Sequence, residues 1–231
     1  MTYTVNVSVD GQSCPVTVSD ENRALLDAKA AGGAIVGIWR EDAAREPDTA
    51  GFDACLYLAT DEEDVDEAFL ERAARRHLGL PWTIAETARL RIREFADGDP
   101  LEEPNPWDCG VFCDKEARSA YIRHQYRFQE YGLWALEETS LGAVIGKAGI
   151  TGIGESPDGT AQGELGYHLY PAYRGKGYAE EACRAILRYA REEMGLDEVF
   201  VRAEKNNTAS AILARKLGIL CISPRKDEEI S

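Results

Sequence analysis

Apolar and polar positions alternate from Tyr3 to Val9 and again from Thr87 to Phe95, and both stretches predict half-exposed strands. Between them the pattern shifts to helical periods separated by short apolar runs. Glu21 to Ala31 reads as a helix ended by Gly32-Gly33, and Ala34 to Trp39 and Ala54 to Ala59 read as short buried strands. Asp61-Glu62-Glu63-Asp64 opens a second helix with apolar residues at Val65, Ala68, Phe69, Ala73 and Leu78. Its acidic start, and Arg72, Arg75, Arg76 and His77 near its end, suit the helix dipole, while Gly79 and Pro81 stop it. Helices alternating with apolar strands predict a small parallel α/β layer over residues 1–82.

Beyond Trp82 the elements are longer. Asp114 to Glu130 reads as a helix. Gly132 to Leu136 and Ala143 to Ile150 read as antiparallel strands joined by a turn from Glu137 to Gly142, and Gly163 to Tyr170 as another strand. Ala179 to Met194 is amphipathic, with Ala182, Cys183, Ile186, Leu187 and Ala190 on one face and Gly195 at its end. Glu198 to Ala203 reads as a strand and Thr208 to Leu217 as a helix closed by Gly218. The boundary near Gly79-Leu80-Pro81-Trp82 divides the chain into residues 1–82 and 83–231, and the fold class is α/β.

Composition removes several functional classes. The 231 residues hold 26 basic and 41 acidic side chains, a net charge of −15. Residues 1–80 carry −9 and the rest −6, so neither half offers the basic footprint of a nucleic-acid protein. No apolar run approaches the ~20 residues of a membrane span, and the N-terminus lacks the pattern of a signal peptide. Six scattered cysteines then read as free thiols in a cytoplasmic protein. Cys109-x3-Cys113 with His124 has loosely zinc-like spacing but no second pair, and no metal is expected.

The chemistry lies in the stretch from Gly163 to Ala179. A strand runs into a loop holding Gly175 and Gly177, and a helix starts at once. Glycine lets backbone approach a ligand closely, and the free N–H groups of a helix start favour an anion, so this loop suits a phosphate or pyrophosphate. It is not a Walker loop, and Glu180 stands where a dinucleotide fingerprint needs its third glycine.

Arg174-Gly175-Lys176-Gly177-Tyr178-Ala179 matches the Q/R-x-x-G-x-G/A signature of the GNAT N-acetyltransferase superfamily. Asn207-Thr208-Ala209-Ser210 followed by Lys216-Leu217-Gly218 resembles that family's second segment, with Ile219 for the usual Phe. The likeness covers about residues 85–220. Within the family, Glu164-Leu165-Gly166-Tyr167 with Asn207-x-x-Ser210 looks most like the ribosomal-protein N-terminal acetyltransferase branch. The resemblance implies a mixed, mostly antiparallel sheet flanked by helices, with acetyl-CoA as cosubstrate and a primary amine as acceptor. Its pyrophosphate would rest on N–H groups of Gly175, Lys176, Gly177, Tyr178 and Ala179, with Arg174 and Lys176 as further charges. Its pantetheine arm would lie beside Tyr167, His168 and Leu169, touched from the other wall by Asn207 and Ser210.

Transfer to an ammonium with a pKa near ~10 requires a base, and Glu164 is the first candidate. Ala214 stands where the family often has an acid Tyr, which leaves solvent, Tyr173 or Tyr170 to protonate the thiolate. His168 reads as packed rather than basic. Trp107, Tyr131 and Trp134 are candidates for an acceptor pocket or for core. A non-catalytic acyl-CoA-binding module is the alternative reading. Ser19-Asp20 and Asp27 to Ile38 resemble part of a haloacid-dehalogenase-like hydrolase that lacks the nucleophile motif, so residues 1–82 read as catalytically silent. After Gly218 only Ile219 to Ser223 can form a strand. We expect a second copy of the chain, or the N-terminal segment, to cover the sheet edge at Glu198 to Ala203.

Overall fold

The computed structural model describes residues 1–40, 49–103 and 110–223, and they divide into two units, Met1–Trp82 and Thr83–Ser231. The first unit is a four-stranded sheet in the order β1-β2-β3-β4, formed by Thr2–Val9, Gln12–Ser19, Ala34–Ile38 and Tyr57–Ala59. β1 and β2 are an antiparallel hairpin, and β2, β3 and β4 run parallel, so the layer is mixed rather than wholly parallel. The hairpin closes through Asp10 (φ 48°) and Gly11 (φ 78°). An Asp-Gly pair accepts left-handed backbone at both positions, and this two-residue turn is the signal for β2 that alternation alone passes over.

α1 (Asn22–Ala30) and α3 (Glu67–Leu78) flank this sheet, with a single helical turn, α2 (Ala50–Asp53), between them. α3 begins later than the acidic run at 61–64 indicates. Its N-cap is Asp66, whose side chain accepts from the Phe69 N–H, and it ends at Gly79 in left-handed conformation. Val16, Val18, Val36 and Ile38 from the strands pack with Leu70, Ala73 and Ala74 of α3 to form the core of this unit.

The second unit holds a seven-stranded sheet in the order β11-β10-β9-β8-β7-β6-β5. The alternating stretch from Thr87 to Phe95 holds one strand, shortened to Leu90–Arg93, and a further strand precedes it. β5 (Thr83–Glu86) and β6 (Leu90–Arg93) form a hairpin whose bend is tied by the Thr87 hydroxyl, which accepts from the Leu90 N–H at 2.9 Å. α4 (Lys115–Tyr121) continues into a π-helical turn (Ile122–Tyr126), and the helical run extends to Phe128, two residues short of Glu130. β7 (Leu133–Glu138), β8 (Ala143–Glu155) and β9 (Ala161–Leu169) follow as an antiparallel meander. α5 (Tyr178–Glu192) buries Ala182, Cys183, Ala185, Ile186, Leu187 and Ala190. β10 (Glu198–Arg202), α6 (Thr208–Leu217) and β11 (Leu220–Ile222) complete the unit. β11 pairs parallel with β10, so the sheet edge lies at Leu220–Ile222 and not at Glu198 to Ala203. No helix among the described residues is long and apolar enough to cross a membrane.

Close strand approach in the meander depends on Gly149, where a Cβ would run into the Gly132 carbonyl, whereas a Cβ at Gly152 would meet nothing within 4 Å. Gly149→Ala is expected to destabilise by about 3 kcal/mol, because backbone must move. Gly152→Ala should stay within about 0.5 kcal/mol of the parent. Urea unfolding midpoints check both; equal midpoints would show that β7 and β8 do not need this contact.

Candidate active site

β9 and β10 are parallel neighbours over three pairs only, ending at Glu164↔Phe200. β10 then pairs with β11, while β9 continues to Leu169 paired with β8. Among the described residues, Leu165 to Leu169 therefore present one unpaired backbone edge to a wedge between diverging strands. A register shift in β8 between Ile150 and Gly152 sits opposite the point of divergence. Bulges raise local twist and are common beside active sites, and this one lies where the sheet opens.

The open edge runs into the glycine loop. Gly175 (φ 75°) and Gly177 (φ 85°) both take left-handed backbone, and Gly177 is the N-cap of α5 with no side-chain cap. α3, α4 and α6 are capped by Asp66, Asp114 and Asn207, whereas α5, like α1 and α2, has no side-chain cap. Among the described residues, no turn or loop hydrogen bond uses the N–H groups of Gly175, Lys176 or Gly177. Free donors, a helix dipole and an absent cap together form a seat for an anion.

The seat is braced from the β5–β6 bend, which the sequence reading did not identify. Glu181 in the first turn of α5 accepts from the Thr87 hydroxyl at 2.7 Å, the Arg89 N–H at 2.9 Å and Arg89 Nε at 2.7 Å. Arg89 also donates from Nη1 to the Lys176 carbonyl at 3.1 Å and lies 4.2 Å over the Tyr178 ring. Burial raises the Glu181 carboxyl, but the bonds from Thr87 and Arg89 outweigh it and the net shift is downward. A threonine two residues before an arginine carries no periodic signal, so only the fold brings these groups together.

The remaining candidates fall into two sets. On one face of β9, the Tyr167 phenol is buried, which raises its pKa, with the Ser210 hydroxyl acting in the opposite direction. Asn207 serves α6 by accepting from the Ser210 N–H at 3.1 Å. Ala214 is buried in the same helix. On the other face, Glu164 is ion-paired with Arg202 Nε at 2.8 Å, and so its carboxylate is engaged rather than free. His168 lies beside Lys147 of β8, its register partner, and faces the buried Glu102. Lys147 Nζ contacts Glu102 Oε2 at 2.7 Å and sits 4.2 Å over Phe112. Tyr170 has a buried phenol without a hydrogen bond, and burial raises its pKa well above the usual range.

Arg174 does not extend freely into solvent. Its Nε donates to the Leu169 carbonyl at 2.8 Å and its Nη2 lies 2.9 Å from His168 Nε2. Lys176 Nζ is 5.4 Å from the Tyr173 ring centre. Trp134 is fully buried against Tyr189 and belongs to the core, not to an acceptor pocket. Tyr131 is half-buried, and its carbonyl accepts from Gln125. Trp107 and Cys109 lie outside the described residues. Cys113 donates to the Gly110 carbonyl and His124 stacks along Phe128. Among the described residues no group of three His, Cys, Asp or Glu side chains could hold a metal.

The profile of the acetyltransferase (GNAT) domain matches residues 81–219. The chain belongs to the GNAT acetyltransferase family. It is an N-acetyltransferase, and the match covers the parted strands, the glycine loop and α6. The chain is 29% identical over 144 residues to the uncharacterised Bacillus subtilis protein YkkB, spanning 58% of this chain and 83% of that one. It is 38% identical over 60 residues to the FsC-acetyl coenzyme A-N(2)-transacetylase of Aspergillus fumigatus, spanning 26% of each. A crystal structure of an acetyltransferase from Agrobacterium tumefaciens shares 27% identity at a TM-score of 0.43, covering 58% of this chain and 81% of that one. The family match begins at residue 81, and the likeness of the first unit to a haloacid-dehalogenase-like hydrolase gains no support from it.

The brace makes a pH prediction for this N-acetyltransferase. Because the folded Glu181 carboxyl lies below its ordinary value of about 4.5, its contribution to stability is complete above that value and is lost as pH falls through the folded pKa. Glu181→Gln should therefore melt below the parent at pH 7, with the gap closing in acid once the pH is below the ordinary carboxyl value of 4.5. Melting curves across pH test this; a gap unchanged from neutral to acidic pH would remove Glu181 from the ionic brace.

Proposed function

We propose that this chain transfers the acetyl group of acetyl-CoA directly to a primary amine in a ternary complex. The observation that carries this reading is the parting of β9 and β10 after Glu164, with its open edge leading to the uncapped start of α5. The pantetheine arm would supply hydrogen bonds to the edge at Tyr167, His168 and Leu169, like an added strand. The pyrophosphate would take the N–H groups of Gly175, Lys176, Gly177, Tyr178 and Ala179. A backbone N–H of the parted edge would polarise the thioester carbonyl where negative charge develops.

Glu164 is the proposed base, acting on the acceptor ammonium directly or through water, and it must leave Arg202 to do so. With Ala214 where the family often carries an acid Tyr, solvent, Tyr173 or Tyr170 would protonate the departing thiolate. The acceptor would be a protein N-terminus or a small-molecule amine. Residues 1–82 have no proposed part in the chemistry.

Thiol release from acetyl-CoA with a panel of N-terminal peptides and small amines tests the activity. Release with none of them would favour the alternative, a non-catalytic acyl-CoA-binding module. Glu164→Gln should lower kcat about 100-fold while leaving acetyl-CoA affinity within about twofold; full turnover in the variant would exclude Glu164 as base. Gly177→Asn tests the cradle. Asn tolerates left-handed backbone, and a Cβ at Gly177 would meet only Arg89 Nη2, at an ordinary 3.5 Å, so the brace is kept while the side chain enters the space proposed for the phosphate. Calorimetry should show weaker acetyl-CoA binding at an unchanged melting temperature.

A further inference from the structure

The imidazole of His168 is buried at Nδ1 and bonded at Nε2, and neither acetyl transfer nor core packing calls for that arrangement. A guanidinium only donates, so Arg174 Nη2 at 2.9 Å requires a lone pair on His168 Nε2. The proton of the neutral ring is then on Nδ1, facing the Glu102 carboxylate at 3.8 Å. Lys147 holds that carboxylate from β8 at 2.7 Å, and its negative charge favours an N–H on the side that faces it. Glu102 and Lys147 thereby fix the tautomer, and the tautomer fixes the arginine.

Among the described residues, two of the guanidinium's five N–H groups are used, one on the Leu169 carbonyl and one on His168. Three remain for a ligand. A long exposed side chain normally loses rotamer freedom when it meets an anion, which weakens the bond it makes. Here the planar fork is already held at two points at the end of β9, where the glycine loop begins.

We infer that His168 is a positioning residue that holds Arg174 for the pyrophosphate of acetyl-CoA, with Glu102 and Lys147 setting its tautomer. This rests on the reading that the loop from Arg174 to Ala179 holds the pyrophosphate.

A double-mutant cycle on the full chain tests it, with CoA titrated by calorimetry into the parent, His168→Phe, Arg174→Met and the double variant. Arg174→Met should weaken CoA binding about tenfold, the worth of one charge-assisted contact. His168→Phe should weaken it about fivefold, and the double variant should be no weaker than Arg174→Met alone, because the histidine acts through the arginine. His168→Gln should recover affinity to within about twofold of the parent, since its amide oxygen accepts the same bond. His168→Leu takes the place of the Phe variant should that one fail to fold. Additive losses, an unchanged affinity in His168→Phe, or a Gln variant as weak as the Phe variant would each overturn the inference. Gly177→Asn separates the two levels. Unchanged CoA affinity there overturns the loop reading itself, whereas loss there without loss in His168→Phe overturns only the positioning role.

Discussion

Everything at the site follows from a sheet that is forced apart. Parallel strands β9 and β10 share three pairs, after which β10 turns to β11 and β9 stays with β8. Backbone N–H and C=O groups left at such a gap cost free energy unless water or a ligand meets them. A sheet that opens beside an uncapped helix start therefore offers an extended ligand a row of hydrogen bonds and its phosphates a positive end. The fold has not failed to pair these strands; it holds them apart by packing α5 against β8 and β9 and α6 against β10 and β11.

The helices of this arrangement were legible because they obey one rule each. Thr208–Leu217 coincides with the span given by its polar N-cap and terminal glycine, and α5 follows from its apolar stripe. The glycine loop was legible as a motif. Three features were not. β2 depends on the Asp10-Gly11 turn, a local conformational signal that alternation does not contain. The β5–β6 hairpin is hidden because β5 ends at Glu86, before the alternation begins, and the bend at Thr87 to Arg89 keeps the polar rhythm of β6. The π-helical turn at Ile122–Tyr126 lies inside a helical run that reaches Phe128, and a helix drawn at constant period does not contain its shift of phase.

The site was legible as a list of residues but not as a set of bonds. Arg174 and Glu164 both belong to it, yet each is already paired, with His168 and Leu169 in one case and Arg202 in the other. Spacing along a chain gives proximity in one strand or loop. It does not show that a base must leave an arginine before it can act, or that a phosphate ligand meets an arginine already held in place.

The same limit applies to the segment from Ala96 to Glu103, which has no regular secondary structure and yet carries the buried Glu102. Its backbone is held by arginines. Arg118 from α4 donates to the carbonyls of Asp97, Asp99 and Pro100 at 2.6–3.0 Å. Arg93 of β6 holds Asp99 through two bonds and Glu137 through a third, partners that outweigh its burial and raise its pKa. A planar fork can satisfy several oxygens at once, so two arginines do for this irregular segment what a ladder of hydrogen bonds does for a strand. In a chain of net charge −15 these cations are spent inside the structure, on acidic and carbonyl oxygens that bring Glu102 under β9. The position of Glu102 beneath His168 is thus set by Arg118 and Lys147, buried cations whose partners lie 18 to 45 residues away in sequence.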